Sequence, residues 1–151
     1  MAHQKGVMMS KLLDRAANEL LLLPEGEYQV VFKDWEPVMF LGKAPKICAE
    51  FSVVEMGEFF ERLIYRWWNV KPTHKKLTKT KWKVGKSSKL LREYCDVTTR
   101  TPRRLDRIPL SDLQDHICLA KVKTVTEGKD QSVIPQSARY SIICNLRRFH
   151  G

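Results

Sequence analysis

The stretch that decides the fold is Glu58–Lys89, EFFERLIYRWWNVKPTHKKLTKTKWKVGKSSK, which begins with the pattern of a strand and ends as a lysine-rich segment. Side chains alternate between the two faces of a strand. The alternation places Phe59, Glu61, Leu63, Tyr65 and Trp67 on one face, and Phe60, Arg62, Ile64, Arg66 and Trp68 on the other. The second face mixes aromatic and guanidinium groups, which together can stack on bases and neutralise phosphates. We therefore interpret this stretch as a binding surface that the rest of the chain supports.

The positive charge of the chain is concentrated in one segment. The 151 residues carry a formal net charge of +10. Residues 71–107 contain thirteen Lys and Arg against three Asp and Glu, so this segment alone accounts for the whole excess. A concentrated basic segment is typical of a protein that binds a polyanion. The alternative is a solvated basic loop with no partner.

Composition and cysteine spacing indicate one globular domain. Hydrophobic residues make up 43% of the chain and charged residues 29%, which excludes a fibrous or wholly disordered protein. Four widely spaced cysteines show neither a CxxC motif nor zinc-type spacing, so we expect reduced thiols in a cytoplasmic protein. The longest apolar run near the start, Leu20–Leu23, is too short for a secretory signal or a membrane span.

Residues 1–23 are predicted to form an N-terminal helical extension. From Ser10, apolar residues at positions 12, 13, 16, 17, 20 and 21 follow helical spacing, and the helix would end before Pro24. Its apolar stripe could pack on the domain or on another subunit, and the sequence leaves both open. Because its polar face mixes both charges, a role at a membrane surface is disfavoured.

Residues 24–151 are predicted to form a mainly β domain with a basic insertion at 71–107. A helix that begins at Ser87 or Ser88 would separate the third strand from the fourth. Alternating patterns and turn residues predict five strands, which cover Tyr28–Leu41 with a break or bulge at Trp35–Pro37, Lys46–Val54, Glu58–Val70, His116–Thr126 and Tyr140–Leu146.

This order of elements is that of an OB fold. The OB fold is a five-stranded Greek-key barrel that binds oligonucleotides across strands 2 and 3 and two flanking loops. Here the flanking loops would be Glu36–Lys46 and Glu127–Ala138. An SH3-like barrel or another small α+β roll is the competing architecture.

The chain also resembles a family. The segments LPEGEYQVVFKDWEP, KICAEFSVVEMGEFFERLIYRWWNV, KLLREYCDV and PLSDLQDHICLAKVKTV resemble the small single-stranded-DNA-binding proteins of phage and conjugative-element recombination or replication cassettes. The resemblance covers about residues 24–146 and implies an OB fold and single-strand binding. It also implies recombination or replication proteins as partners. The chain ends RRFHG, whereas many such proteins end in an acidic tail that recruits those partners.

Aromatic and basic residues form the candidate nucleic-acid site. Stacked aromatic rings would contribute about 1–3 kcal/mol per base, and the cations would neutralise the backbone. For each group a structural role is the alternative: core packing for the rings, cross-strand pairing with a carboxylate such as Glu50 for the arginines, and a solvated loop for the lysines. We expect the barrel filling to include Tyr28, Phe32, Phe51, Phe59 and Tyr65. The candidate contacts are Trp35, Phe60, Arg62, Arg66, Trp68, Lys71, Lys75, Lys76, Lys79, Lys81, Trp82, Lys83, Lys121 and Lys123.

No catalytic or cofactor motif accompanies these residues. The four histidines are scattered, and HxH, GxSxG and phosphate-loop motifs are missing. Carboxylates between Asp34 and Glu61 could serve a metal nuclease, but such residues are more typical of solvent-facing strand positions. We predict a non-enzymatic protein without metal or cofactor that binds single-stranded DNA with little sequence preference, although the sequence does not distinguish DNA from RNA. A homo-oligomer is expected, and the alternative function is a protein-interaction or inhibitor module of a mobile element.

Overall fold

The structure is a computed structural model that describes residues 22–40, 42–126 and 140–150. Residues 10–21 of the predicted N-terminal helix lie outside the described residues. The predicted flanking loop Glu127–Ala138 lies outside them as well.

Five long strands form a closed barrel in the order β1-β2-β3-β7-β6, with β6 paired again to β1. All neighbouring barrel strands are antiparallel except β3 and β7, which are parallel. The prediction of a mainly β chain with a five-stranded sheet is confirmed. The barrel strands are β1 (Gly26–Phe40), β2 (Ala44–Val53), β3 (Leu63–Asn69), β6 (Ile117–Val125) and β7 (Tyr140–Arg148).

Shorter elements connect β3 to β6. A two-stranded antiparallel sheet comes first, then an α-helix, then a short 3₁₀ helix. Ser88 caps the helix, since its Oγ accepts a hydrogen bond from the Leu91 N–H at 3.2 Å. These elements are β4 (Lys71–Pro72), β5 (Trp82–Lys83), α1 (Lys89–Thr98) and the 3₁₀ helix Leu110–Asp115.

The first strand is longer than the sequence pattern predicts. β1 runs through Pro37, with a register shift between Phe32 and Asp34, and only residues 41–43 separate it from β2. β6 pairs only with residues 26–31 of β1, so the later half of β1 is an edge where proline is tolerated. The predicted break at Pro37 and the predicted flanking loop Glu36–Lys46 are therefore wrong.

The interior of the barrel and one side of α1 share one hydrophobic core. Leu90, Tyr94 and Val97 of α1 are buried in the same cluster as residues from all five barrel strands. Of the aromatic residues expected inside, Tyr28, Phe32 and Phe51 belong to this core, and Phe59 packs against it half-buried. Tyr65 is buried too, but in a separate small cluster with Val38 and Cys48. The fold thus has an inner core and a second apolar cluster outside it.

Candidate nucleic-acid interface

The face of β3 that carries Ile64, Arg66 and Trp68 points into the barrel. Trp68 is 2% exposed and Ile64 is equally buried, and both belong to the inner core. Their cross-strand neighbours in β2 are also buried. Side chains alternate along β3 as predicted. The face that was expected to be exposed to solvent, however, is the one that is buried in the barrel. Burial of the large indole and the isoleucine outweighs the single charge on this face, so the expected exposure of Arg66 and Trp68 is wrong.

Arg66 is 6% exposed because a carboxylate from α1 neutralises it. Its Nε and Nη2 donate to Glu93 Oε1 and Oε2 at 2.9 and 2.6 Å. The indole N–H of Trp68 donates to Glu93 Oε1 at 3.1 Å, and Arg66 Nη1 donates to the Ile143 carbonyl at 3.4 Å. A bidentate pair with its remaining donors satisfied is the arrangement in which a buried charge is tolerated. Arg66 and Trp68 therefore tie β3 to α1 and β7, and neither is open to a strand of nucleic acid.

The indole of Trp82 is buried as well. It is 3% exposed, and its N–H donates to the Lys79 carbonyl at 2.9 Å. Its ring meets Trp35 edge-on, with 5.8 Å between centroids, and Lys79 Nζ lies 5.1 Å from the centroid of the Trp35 ring. The expected exposure of Trp82 is wrong, because the β4–β5 sheet folds this ring onto the core. Trp35 remains half-buried and partly accessible.

The lysines between β4 and β5 are exposed, as a polyanion site requires. Pairing of Lys71 with Lys83 and of Pro72 with Trp82 closes a hairpin around residues 73–81. We call residues 71–83 the basic hairpin. Trp82 anchors it on the inner core. Its exposed lysines are Lys71, Lys75, Lys76, Lys79, Lys81 and Lys83.

The remaining candidate contacts lie away from the basic hairpin. Phe60 and Arg62 are exposed in the turn that precedes β3, whereas the hairpin follows it. A seven-residue strand is about 23 Å long at ~3.3 Å per residue, so the two groups lie at opposite ends of β3. Lys121 and Lys123 are exposed on β6, which β7 separates from β3 in the barrel. The structure therefore brings the hairpin lysines together but not these four residues.

The outer face of β1, β2 and β3 is acidic and largely closed. Glu50 is 4% exposed there and accepts a hydrogen bond from the Tyr65 hydroxyl at 3.0 Å. Burial, together with the nearby Glu36 and Glu50, raises the pKa of the Cys48 thiol on this face, so that thiol is unreactive at neutral pH. Such a surface does not suit a phosphate backbone. The pairing register sets its two central rows as Asp34, Glu50 and Tyr65, and Glu36, Cys48 and Trp67.

A cavity of about 480 Å³ opens between the end of β3, the basic hairpin and the start of α1. We call it the basic cavity. Trp67 and Asn69 at the end of β3 also line it. Asn69 accepts a hydrogen bond from Lys46 Nζ at 2.8 Å, whereas the half-buried indole of Trp67 packs against the outer cluster that contains Tyr65. Among the described residues no Asp or Glu lines this cavity. Its cationic lining, apart from the paired Arg66, is Lys46, Lys71, Lys83 and Lys89.

Sequence reasoning missed part of this lining. Three of the lining residues are not among the fourteen candidate contacts: Trp67, Lys46 and Lys89. Lys89 nevertheless belongs to the basic segment. The strand register could have suggested Lys46, because it pairs with Asn69 next to the two tryptophans. The exposure of Trp67 relative to Trp68 had no signal in the sequence, since both faces of β3 are apolar.

Metal and membrane signatures are missing from the part of the chain that the structure describes. Within residues 22–40, 42–126 and 140–150, no group of three His, Cys, Asp or Glu side chains could hold a metal ion. No helix in those ranges is long and apolar enough to cross a bilayer. Comparison with protein-family models, with curated proteins and with solved structures gave no match. The resemblance to single-stranded-DNA-binding proteins therefore rests on the sequence pattern alone.

Proposed function

We propose that this protein binds single-stranded nucleic acid, most naturally single-stranded DNA, through the basic hairpin. The observation that carries the proposal is the run of exposed lysines on residues 71–83, with no Asp or Glu anywhere in residues 71–89. Like charges grouped on one projecting element produce a local positive field that attracts a polyanion. Their flexible side chains suit a backbone whose phosphate spacing varies.

A half-buried indole beside the hairpin favours a single strand over a duplex. Trp35 lies beneath Lys79, with 5.1 Å between the Lys79 Nζ and the centroid of the ring. The flat faces of unpaired bases can stack on such rings, with about 1–3 kcal/mol per base. A duplex keeps those faces covered by neighbouring base pairs. Stacking and phosphate contacts do not read base edges, so we expect little sequence preference.

The closed five-stranded barrel, with α1 between the third and fourth long strands, supports an OB-fold assignment. In that fold the strand usually crosses the face of strands 2 and 3. Here the corresponding outer face carries Asp34, Glu36 and Glu50, which would repel phosphates. We therefore assign the path of the strand to the end of β3 and to the basic hairpin.

The biological setting is proposed from the resemblance of residues 24–146. It favours recombination or replication of a phage or mobile element, in the cytoplasm, with partner proteins from the same process. A homo-oligomer would extend the short stretch of strand that one barrel can cover.

A protein-interaction function is the second candidate. Met56 is 86% exposed, and the ring of Phe60 is also exposed in the same turn between β2 and β3. Exposed large apolar side chains next to each other are typical of a contact with another protein. Binding to a protein through this turn would depend weakly on salt, whereas phosphate binding depends on it steeply.

The test is fluorescence anisotropy of labelled oligo-dT of about thirty nucleotides, longer than the ~16-nucleotide limit of one OB fold. Titrations at about 50 and 200 mM salt measure the electrostatic share of the affinity. Duplex DNA and RNA of equal length run alongside. We expect salt-sensitive binding that favours oligo-dT over duplex. Absence of binding at the lower salt concentration would refute the proposed function and leave the Met56 turn as the surface to test.

A further inference from the structure

The basic cavity has a buried floor and an exposed, positively charged rim. Trp68 and Leu90, both almost fully buried, line its inner side, while Lys71, Lys83 and Lys89 at its opening are exposed. A ligand can therefore enter from the rim but cannot pass through the barrel. Its volume of about 480 Å³ lies within the ~300–1,000 Å³ range of small-molecule sites, so it has room for a nucleotide rather than only for an ion.

The cavity holds more positive charge than its own contacts require. Arg66 is matched by Glu93, but the lysines at the rim have no carboxylate among the described lining residues. Lys71 and Lys83 are direct cross-strand partners in the two-residue ladder of β4 and β5. Like charges directly opposite each other destabilise a strand pair. An anion bound between them would remove that repulsion.

We propose that the basic cavity binds the terminal phosphate monoester of a nucleic-acid strand, an inference that rests on the proposed strand binding. An internal phosphodiester carries one charge. A terminal monoester carries about −1.5 to −2 charges at neutral pH. Its greater charge matches the group of lysines at the rim.

The surroundings of the cavity fit this ligand. Ser88 and Lys89, at the start of α1, line it, and the first turn of that helix carries no acidic residue. The positive end of the helix dipole adds to the field of the lysines, which favours a doubly charged anion.

The test compares three oligo-dT strands of about ten nucleotides, within the 4–16 that one OB fold covers, each labelled on an internal base. One carries a 5′-phosphate, one a 3′-phosphate, and one has hydroxyl groups at both ends. We expect one phosphorylated strand to bind about tenfold more tightly than the hydroxyl strand, which corresponds to one net charge-assisted hydrogen bond. The end that gives the effect identifies the polarity of the bound strand.

Three single lysine variants distinguish binding in the cavity from general electrostatic attraction to the strand. Lys83→Ala and Lys89→Ala should abolish the preference for the phosphorylated end. Lys75→Ala removes an exposed lysine outside the cavity lining. It should weaken the binding of all three strands equally and leave the preference for the phosphorylated end unchanged. Because these lysines are exposed, thermal unfolding should show that all three variants remain folded.

The outcomes distinguish the cavity from the proposed function. Equal affinity for all three strands would overturn the terminal-phosphate site while leaving strand binding intact. If no strand binds, the proposed function fails, and titration with thymidine monophosphate against thymidine then tests the cavity alone. Quenching of tryptophan fluorescence by the monophosphate only, lost in Lys89→Ala, would support a phosphate site. Lack of that quenching would overturn it.

Discussion

Replacement of Glu93 by glutamine should destabilise the protein by about 3–5 kcal/mol, the typical effect of removing one partner of a buried ion pair. The carboxylate is 1% exposed and accepts two hydrogen bonds from Arg66 and one from Trp68 at 2.6–3.1 Å. A glutamine keeps one acceptor oxygen but turns an amide N–H₂ group toward the guanidinium. The buried positive charge then has no counter-ion, and a second donor faces it.

Urea unfolding followed by tryptophan fluorescence measures this loss. Domains of this size are stable by about 5–15 kcal/mol, so Glu93→Gln should lower the urea midpoint strongly with an unchanged m value. At roughly 2–4 °C per kcal/mol, the melting temperature should fall by roughly 6–20 °C. The matched control is Glu58→Gln, which removes an exposed carboxylate in the turn before β3. Its effect should stay within about 0.5 kcal/mol.

A double variant tests whether the charge is the cause. Arg66→Met combined with Glu93→Leu removes both charges and leaves apolar groups, a change that is often neutral or stabilising for a buried pair. The double variant should therefore be more stable than Glu93→Gln. If Glu93→Gln lowers the unfolding free energy by less than about 1 kcal/mol, as an exposed pair would, our explanation for the burial of Arg66 is refuted.

Three further predictions concern the binding surface and α1. Lys79→Ala should reduce the slope of log affinity against log salt by about 0.7 for a single strand, whereas Lys123→Ala, on β6, should leave it unchanged in the same anisotropy titrations. Trp35→Ala, which removes the half-buried ring beneath Lys79, should weaken oligo-dT binding by about 1–3 kcal/mol; unchanged affinity would show that this ring does not stack on a base. Burial and the hydrogen bond to Asp112 raise the pKa of Tyr94 to about 12, so the unfolded state loses this proton first and stability should fall as pH rises from about 10 toward 12. Urea titrations across that range should show a smaller decrease for Tyr94→Phe, and an identical decrease would contradict the assignment.

Periodicity was sufficient to predict the five long strands, except that β3 begins at Leu63 and not at Glu58 because residues 58–61 form a turn. It did not predict which face of each strand is buried. The alternation along residues 63–69 groups Tyr65 with Trp67 and Arg66 with Trp68, as the structure does. Both groups are rich in apolar atoms, so hydrophobicity could not decide which one faces the barrel interior. The decision depends on Glu93, which lies 27 residues later and neutralises Arg66. A partner on a separate helix leaves no local signal in the strand.

In the basic segment, too, the local sequence does not show which side chains are buried. Its charge and exposure follow directly from composition, because a run of lysines without acids must stay in water. The burial of Trp82 could not be predicted in this way. The pattern of one indole between Lys81 and Lys83 is compatible with a residue that stacks on bases and equally with one that anchors the hairpin on the core. The edge-on contact with Trp35 brings together residues almost fifty positions apart in the chain. Long-range contacts of this kind decide which aromatic residues remain accessible, and the sequence does not encode them locally.

One pair of like charges on the basic hairpin is arranged against stability, which is itself an argument for a ligand. Lys71 and Lys83 face each other directly in a ladder of only two residue pairs, where opposite charges would stabilise the sheet by about 0.2–1 kcal/mol. The carboxylates that could have played that part, Asp34, Glu36 and Glu50, lie instead on the outer face of the barrel. If the hairpin had only a structural role, a glutamate at either lysine position would make the two-stranded sheet more stable. We therefore expect Lys83→Glu to raise the melting temperature slightly while lowering affinity for oligo-dT, and a variant that loses stability without losing affinity would contradict the argument.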